Sequence, residues 1–397
     1  MAELLSLDEA VRTVLGRVRP LPGERVPVEA AAGRVLSEDA RAAVDLPPFA
    51  SSAMDGFALR AEDAPAKLSV AGAIAAGSPA TRPLSPGEAM AIATGGAVPD
   101  GADAVVPIED VVAQDNNIDV SSAIAHGAHV RPRGGDVRAG DVVVEAGTRL
   151  GPSQIGALAA AGVAEVSCGA PPSAAVLSTG TELRPPGSSL GAGQIYEANS
   201  FLLAAALASA GADVERLPVA EDDDSAHREA LAHALEADLV VTSGGVSVGP
   251  HDLVRRIAAE LGVEEVFWGV AVKPGKPVSF GVRGRTLVFG LPGNPVSTLA
   301  GFELFVRPAV LALQGAAEPG PQFLPGRLAG LVRRNAVRDQ LVRARSRAEG
   351  DEVVLEPVTG QESHMIVRAA AADALVHVPR GEGEVPAGSP IRYLRLS

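Results

Sequence analysis

An apolar period of helical spacing runs through the first residues and predicts an amphipathic helix from roughly Ser6 to Val18, with Ser6 as its N-cap. The stretch VPVEAAAGRVLSEDARA that follows reads as a strand leading into another short element. From Leu46 to about Val130 the texture changes. Short Val, Ile and Ala segments alternate with Gly, Pro and Asp, as in SVAGAIAAGSP and NNIDVSSAI, which is the punctuation of a small sheet-rich domain. Residues 130 to 170 return to mixed structure, with a second amphipathic helix at Ser153 to Gly162. If this segment shares a core with the first, the sheet-rich piece is an insertion.

After Pro171 and Pro172 the pattern becomes alternating strand and helix: AAVLSTG, EANSFLLAAALASAGAD, VERLPVA, SAHREALAHALEA, DLVVTSGG, HDLVRRIAAELG. Such alternation, with fully apolar strands, predicts a doubly wound α/β domain whose parallel sheet is covered by helices on both faces. Strands EVFWGVAV, PVSFGVR and TLVFGLP continue it to a helix from about Pro295 to Leu313. GAAEPGPQFLPGR then reads as a linker, and the short alternating segments beyond it as a small C-terminal β-domain. The expected division is a discontinuous mixed N-terminal domain (1–45 and 131–170), an inserted β-rich domain (46–130), the α/β domain (171–315) and the β-domain (316–397).

Composition narrows the chemistry. Hydrophobic residues make up 47% of the 397, yet no run approaches the roughly 18 uninterrupted apolar residues of a membrane helix. The first twenty residues lack the basic and apolar blocks of a signal peptide, so the expected location is cytoplasmic, without a membrane. Acidic residues outnumber basic ones 48 to 34 and no basic stripe is visible, which argues against nucleic acid as a partner. The single cysteine, Cys168, reads as a buried inert thiol. Among the basic residues only Lys67, Lys273 and Lys276 are lysine. Two of them three positions apart in VKPGKPV suggest a local need for compact, strongly hydrated point charges.

The segment ADLVVTSGGVSVGPHDLV runs a buried strand into a glycine-rich turn and then a helix, a geometry that suits anions but also describes a plain tight turn. STGTEL and LPGNPVST close two other strands of the same unit, so three polar, Gly-rich loops are expected to share one rim, with Ser297 capping the last helix. Candidate substrate contacts are Ser243, Gly244, Gly245, Ser247, Gly249, Pro292, Gly293, Asn294 and Pro295. Lys273 and Lys276, stiffened by Pro274 and Pro277, could hold phosphates or an oxyanion. Glu182, Asp222 and Asp252 stand where a divalent cation could use them, although an acid at a helix start also stabilises the helix by itself. In the inserted domain, Asp55 beside Gly56 is either a site carboxylate or an Asx-turn, and Asp136 in RPRGGD carries the same ambiguity. His126, His129, His227, His233 and His377 show no metal-like spacing and read as surface or packing residues; the roles of His251 and His364 stay open.

Taken in order, SAMDGFA, ATGGAVPDGADAVVPIED, RPRGGDVRAGD, STGTEL, GQIYEANS, VTSGGVSVGPHD, KPGKP, LPGNPVST and QESHM resemble the molybdopterin molybdenumtransferases, known as MoeA in bacteria and as the E domain of gephyrin in animals. The resemblance implies a homodimer with its cleft formed by both subunits. It implies site residues Asp55, Thr94, Asp136, Glu182, Asp222, Asp252, Lys273, Pro292, Pro295, Arg343 and Ser363, with Lys276 beside them. It also implies adenylated molybdopterin and molybdate as substrates, Mg2+ as cofactor near Asp222, Asp252 and Glu182, and AMP as product. The molybdopterin adenylyltransferase and acceptor molybdoenzymes are the expected protein partners. One departure is that Trp268 is followed by Gly269, where some relatives carry a basic residue. The alternatives are an adenylating enzyme of the same α/β fold, expected to carry a GGTG-type loop in place of SGGVSVG, and a scaffold without catalysis.

Overall fold

The computed structural model describes residues 4–219, 224–245 and 253–396. The first helix, α1 (Leu7–Leu15), begins with a capping box: Glu9 N–H donates to Ser6 Oγ while Ser6 N–H donates to the Glu9 carboxylate. Its apolar stripe of Leu7, Ala10 and Val14 is buried in the core of the α/β domain, away from the N-terminal domain that follows it in sequence. Ser6→Ala is expected to reduce stability by about 1 kcal/mol, the typical worth of a lost cap. A shift of the urea midpoint would show it, and no shift would mean that the buried face alone holds α1.

In the N-terminal domain, Gly23–Pro27 pairs antiparallel with Glu165–Gly169, and Ala40–Arg41 with Val142–Val144. Together with α2 (Pro152–Ala160) these segments bury Val26, Leu36, Leu150, Leu158 and Cys168 in one core. Chain from either side of the sheet-rich piece therefore shares a core, and that piece is inserted. Its own six-stranded sheet runs Ala104–Pro107, Gly56–Leu59, Glu88–Ile92, Ala66–Ile74, Asn117–Val120, Val112–Gln114.

The α/β sheet has the order Asp213–Arg216, Ser173–Ser178, Leu239–Ser243, Thr286–Leu291, Ser279–Arg283, Glu264–Trp268. Its first four strands are parallel, as the apolar alternation predicts. The last two pairings are antiparallel, so Ser279–Arg283 alone runs against the other five strands, which corrects the expectation of an all-parallel sheet. The short Gly284 turn, at φ +61, joins Ser279–Arg283 directly to Thr286–Leu291 and leaves no room for a crossover helix. One face is covered by α3 (Asn199–Ser209), α1 and the long C-terminal helix of the domain, the other by α4 (Asp224–Ala234) and α5 (Leu253–Glu260). The long helix is α6 (Pro295–Gly301), a π-helical segment Phe302–Val306 and α7 (Arg307–Leu313). Pro308 removes one N–H from the ladder just where the backbone widens. By length and mean hydropathy of 1.5 this helix could cross a membrane, but 78% of it is buried inside the protein, as a core helix should be.

The C-terminal strands Asp339–Glu349, Glu352–Pro357, Phe323–Leu328, Pro390–Arg395 and Ala374–Val378 pair in sequence around a ring. The first also pairs with the last, so the sheet closes into a small barrel. The expected strand EVFWGVAV is broken at Gly269. Its end, Val272–Lys273, leaves the α/β sheet and pairs in parallel with Asp339 and Gln340 of the barrel.

Candidate functional site

Three strand ends of the α/β sheet meet as the sequence predicts. Thr179 N–H donates to Ser243 O and Gly244 N–H to Leu291 O, both at 3.1 Å. Gly244 has φ +91, and a Cβ there would lie 2.7 Å from Thr179 O, so only glycine allows this approach. Beside these turns is a cavity of about 490 Å³, lined by residues that include Thr179, Glu182, Asn199, Ser243, Gly245 and Asn294.

On the other side of the Pro292–Asn294 turn lies a second cavity of about 780 Å³, between the α/β domain and the barrel. Lys273, Lys276, Pro292, Asn294, Ser297 and Ser363 line it. Arg333 and Arg338 add two guanidiniums, and among the described residues that line it only Glu362 supplies an opposing carboxylate, so the wall favours an anion. Asn294 borders both cavities. It is also the N-cap of α6, with Pro295 at the first helical position. Ser297 is buried inside the helix, so the expected Ser297 cap is corrected. The first turn of α6 is tied to the barrel side, because Val296 N–H donates to Ser363 O at 3.1 Å.

Arg343 differs from expectation. It is only 1% exposed, and its guanidinium donates to the carbonyls of Gly360 (2.7 Å), Met365 (3.0 Å) and Glu362 (3.3 Å). Burial lowers its pKa, and the Glu362 charge acts in the opposite direction. The side chain holds the 360–365 loop that presents Ser363, and it is not among the residues that line the larger cavity. Gly269 explains itself as well. It has φ +90, a backbone conformation that any residue with a Cβ adopts only with strain, so a basic residue has no relaxed place there.

Asp55 and Thr94 are paired within the inserted domain. Thr94 donates to Asp55 Oδ1 from its backbone N–H at 2.7 Å and from its hydroxyl at 3.0 Å. These two bonds, the backbone one first, hold the Asp55 carboxyl below its ordinary range against a small effect of burial. The lowered value means that the contribution to stability is present above the unfolded-state pKa and is lost as pH falls through the folded one. Thr94→Val, which removes only the hydroxyl bond, is expected to move the Asp55 titration part of the way up, as followed by NMR. An unchanged titration would assign the whole shift to the backbone bond. Asp136 stands on the stem of the insertion, where its N–H donates to Leu46 O at 2.9 Å. Neither cavity is lined by Asp55, Thr94 or Asp136. Asp222, Ser247, Gly249, His251 and Asp252 lie outside the described residues.

Sequence reasoning missed several residues here. Asn199 links two of the loops, His227, buried as one of its two readings allowed, lines the smaller cavity, and Arg333, Arg338 and Gln340 enter the larger one from the barrel. Only Asn199 had a signal, the EANS within a motif already noted. Among the described residues, no cluster of three His, Cys, Asp or Glu side chains forms a ready metal cage.

Residues 5–162 match the MoeA N-terminal region (domain I and II), residues 175–312 the probable molybdopterin binding domain, and residues 319–396 the MoeA C-terminal region (domain IV). The chain is 36% identical to molybdopterin molybdenumtransferase 2 of Mycobacterium tuberculosis over 99% of its length and 100% of the relative. It is 39% identical to molybdopterin molybdenumtransferase of Haemophilus influenzae, over 79% and 78% of the two chains. A crystal structure of the molybdopterin biosynthesis MoeA protein from Pyrococcus horikoshii superposes with a TM-score of 0.85 at 28% identity, covering 99% and 100%. A second structure of a Pyrococcus horikoshii MoeA protein gives 0.80 at 33%, covering 99% of each chain. The three matches follow the order of the motifs read from the sequence, and the Mycobacterium tuberculosis relative matches end to end. The chain belongs to the MoeA family, the molybdopterin molybdenumtransferases.

Proposed function

We propose that this enzyme inserts molybdenum into adenylated molybdopterin and releases AMP. The observation that carries this reading is the pair of cavities sharing the Pro292–Asn294 wall, one bounded by glycine-rich strand ends and the other by lysines and arginines. The adenylated pterin lies along the first, with its pyrophosphate near backbone N–H donors of the 243–245 and 292–294 turns. Molybdate, as substrate, sits by Lys273 and Lys276 in the second. The rigid wall between them keeps the two reactants oriented. The dithiolene sulfurs of the pterin become the metal ligands, so a chain with one cysteine needs no thiolate of its own. Hydrolysis of the pyrophosphate bond consumes one water and releases AMP.

Glu182 fits Mg2+ as one carboxylate beside a phosphate cradle, with Asp222 and Asp252 as the other assigned ligands; the bound ion would neutralise phosphate charge. Asp55, Thr94 and Asp136 complete the cleft of a partner subunit in a homodimer. Function in the cytoplasm, with the adenylyltransferase as supplier and molybdoenzymes as acceptors, belongs to the same reading. The adenylating alternative is not favoured. Purified protein given adenylated molybdopterin, Mg2+ and molybdate is expected to release AMP only when molybdate is present. Consumption of ATP on metal-free molybdopterin, with no molybdate-dependent AMP, would overturn the assignment.

A further inference from the structure

Asn199, the first residue of α3, is 9% exposed and lines the smaller cavity. Its Nδ2 donates to Ser243 Oγ and to Gly293 O, each at 2.7 Å. A backbone carbonyl can only accept, so the amide must turn its NH2 group toward Gly293. That fixes Oδ1 on the other side, where no described group donates to it and water scarcely reaches it. The residues on either side of it are braced. Glu197 accepts from Ser178 Oγ, Ser200 N–H and Ser200 Oγ, which locks α3 to the end of the Ser173–Ser178 strand. A buried amide oxygen left without a donor is destabilising unless something supplies one.

We propose that Asn199 is a specificity-determining residue of this site, its Oδ1 accepting a hydrogen bond from an N–H or O–H donor of the bound pterin nucleotide. The donor arrives by way of the cavity that Asn199 lines. The inference rests on the functional reading above for the class of ligand. Fixed on one side by Gly293 and Ser243, the amide cannot rotate to offer its NH2 group, so a ligand group that only accepts is disfavoured.

Two variants separate this role from simple loop bracing. Asn199→Leu removes both the tie to Gly293 and the acceptor, whereas Asn199→Asp removes the tie and keeps an oxygen. Binding of metal-free molybdopterin and of AMP is measured separately for both variants and the unaltered protein, with melting temperature as a check on folding. The expected result is a loss of roughly tenfold to a hundredfold for metal-free molybdopterin in Asn199→Leu, the range for one lost hydrogen bond in a buried site. Asn199→Asp should recover much of that loss, and AMP binding should be little changed. A loss confined to AMP also supports the proposal and places the donor on the nucleotide half. Equal losses in both variants, or no loss in either, overturn it and leave Asn199 a brace. Unaltered protein that binds neither probe overturns the reading of the cavity itself, and this inference with it.

Discussion

Lys273→Ala is expected to lower molybdate-dependent AMP release by roughly 10²- to 10³-fold, the usual cost of removing one preorganised charge-stabilising donor. The side chain is exposed on the cavity wall, and among the described residues its ammonium has no ion-pair partner. Stability should therefore change by no more than about 0.5 kcal/mol, as for other surface substitutions. The two readouts must separate: activity falls while the melting temperature stays. Lys273→Arg should recover only part of the activity, because a planar fork is wider and less strongly hydrated than an ammonium. Activity near the unaltered level in Lys273→Ala would remove the oxyanion from this cavity.

Arg343→Ala is expected to act first on stability. It leaves the carbonyls of Gly360, Glu362 and Met365 without the guanidinium that bonds them. At about 1–3 kcal/mol for a buried acceptor left unsatisfied, less for these part-buried carbonyls that can turn toward water, together with the lost packing of the buried side chain, the total loss is on the order of 3 kcal/mol. Chemical denaturation followed by near-UV signals would measure it. Activity should fall as well, since the loop that carries Ser363 and receives the Val296 N–H loses its anchor. Arg343→Lys should rescue neither, because one ammonium cannot span three diverging carbonyls. A variant as stable as the parent would show that the 360–365 loop needs no such anchor.

Much of this was legible because it depends on local rules. The capping box is written in Ser6 and Glu9, and the shared rim is written in three Gly-rich stretches that each follow an apolar strand. The unusual lysines, Lys273 and Lys276, both line the larger cavity. Other features depend on what an element faces, which periodicity does not encode. The stripe Leu7, Ala10 and Val14 declares one face of α1 apolar without naming its partner, which proves to be the α/β core. The bracing role of Arg343 is not written in the sequence, because its partners are backbone carbonyls, and every residue has one. The role of Asn199 hides for the same reason, since the Gly293 carbonyl that orients it has no sequence signature.

The two-residue strand Val272–Lys273 belongs by connectivity to the α/β domain and by hydrogen bonding to the barrel. A barrel that loosened under heat or denaturant would drag the lysine out of register before it disturbed the glycine-rich turns. Grip on the oxyanion should therefore fail earlier than affinity for the pterin, and the order of those failures would report which half of the molecule melts first.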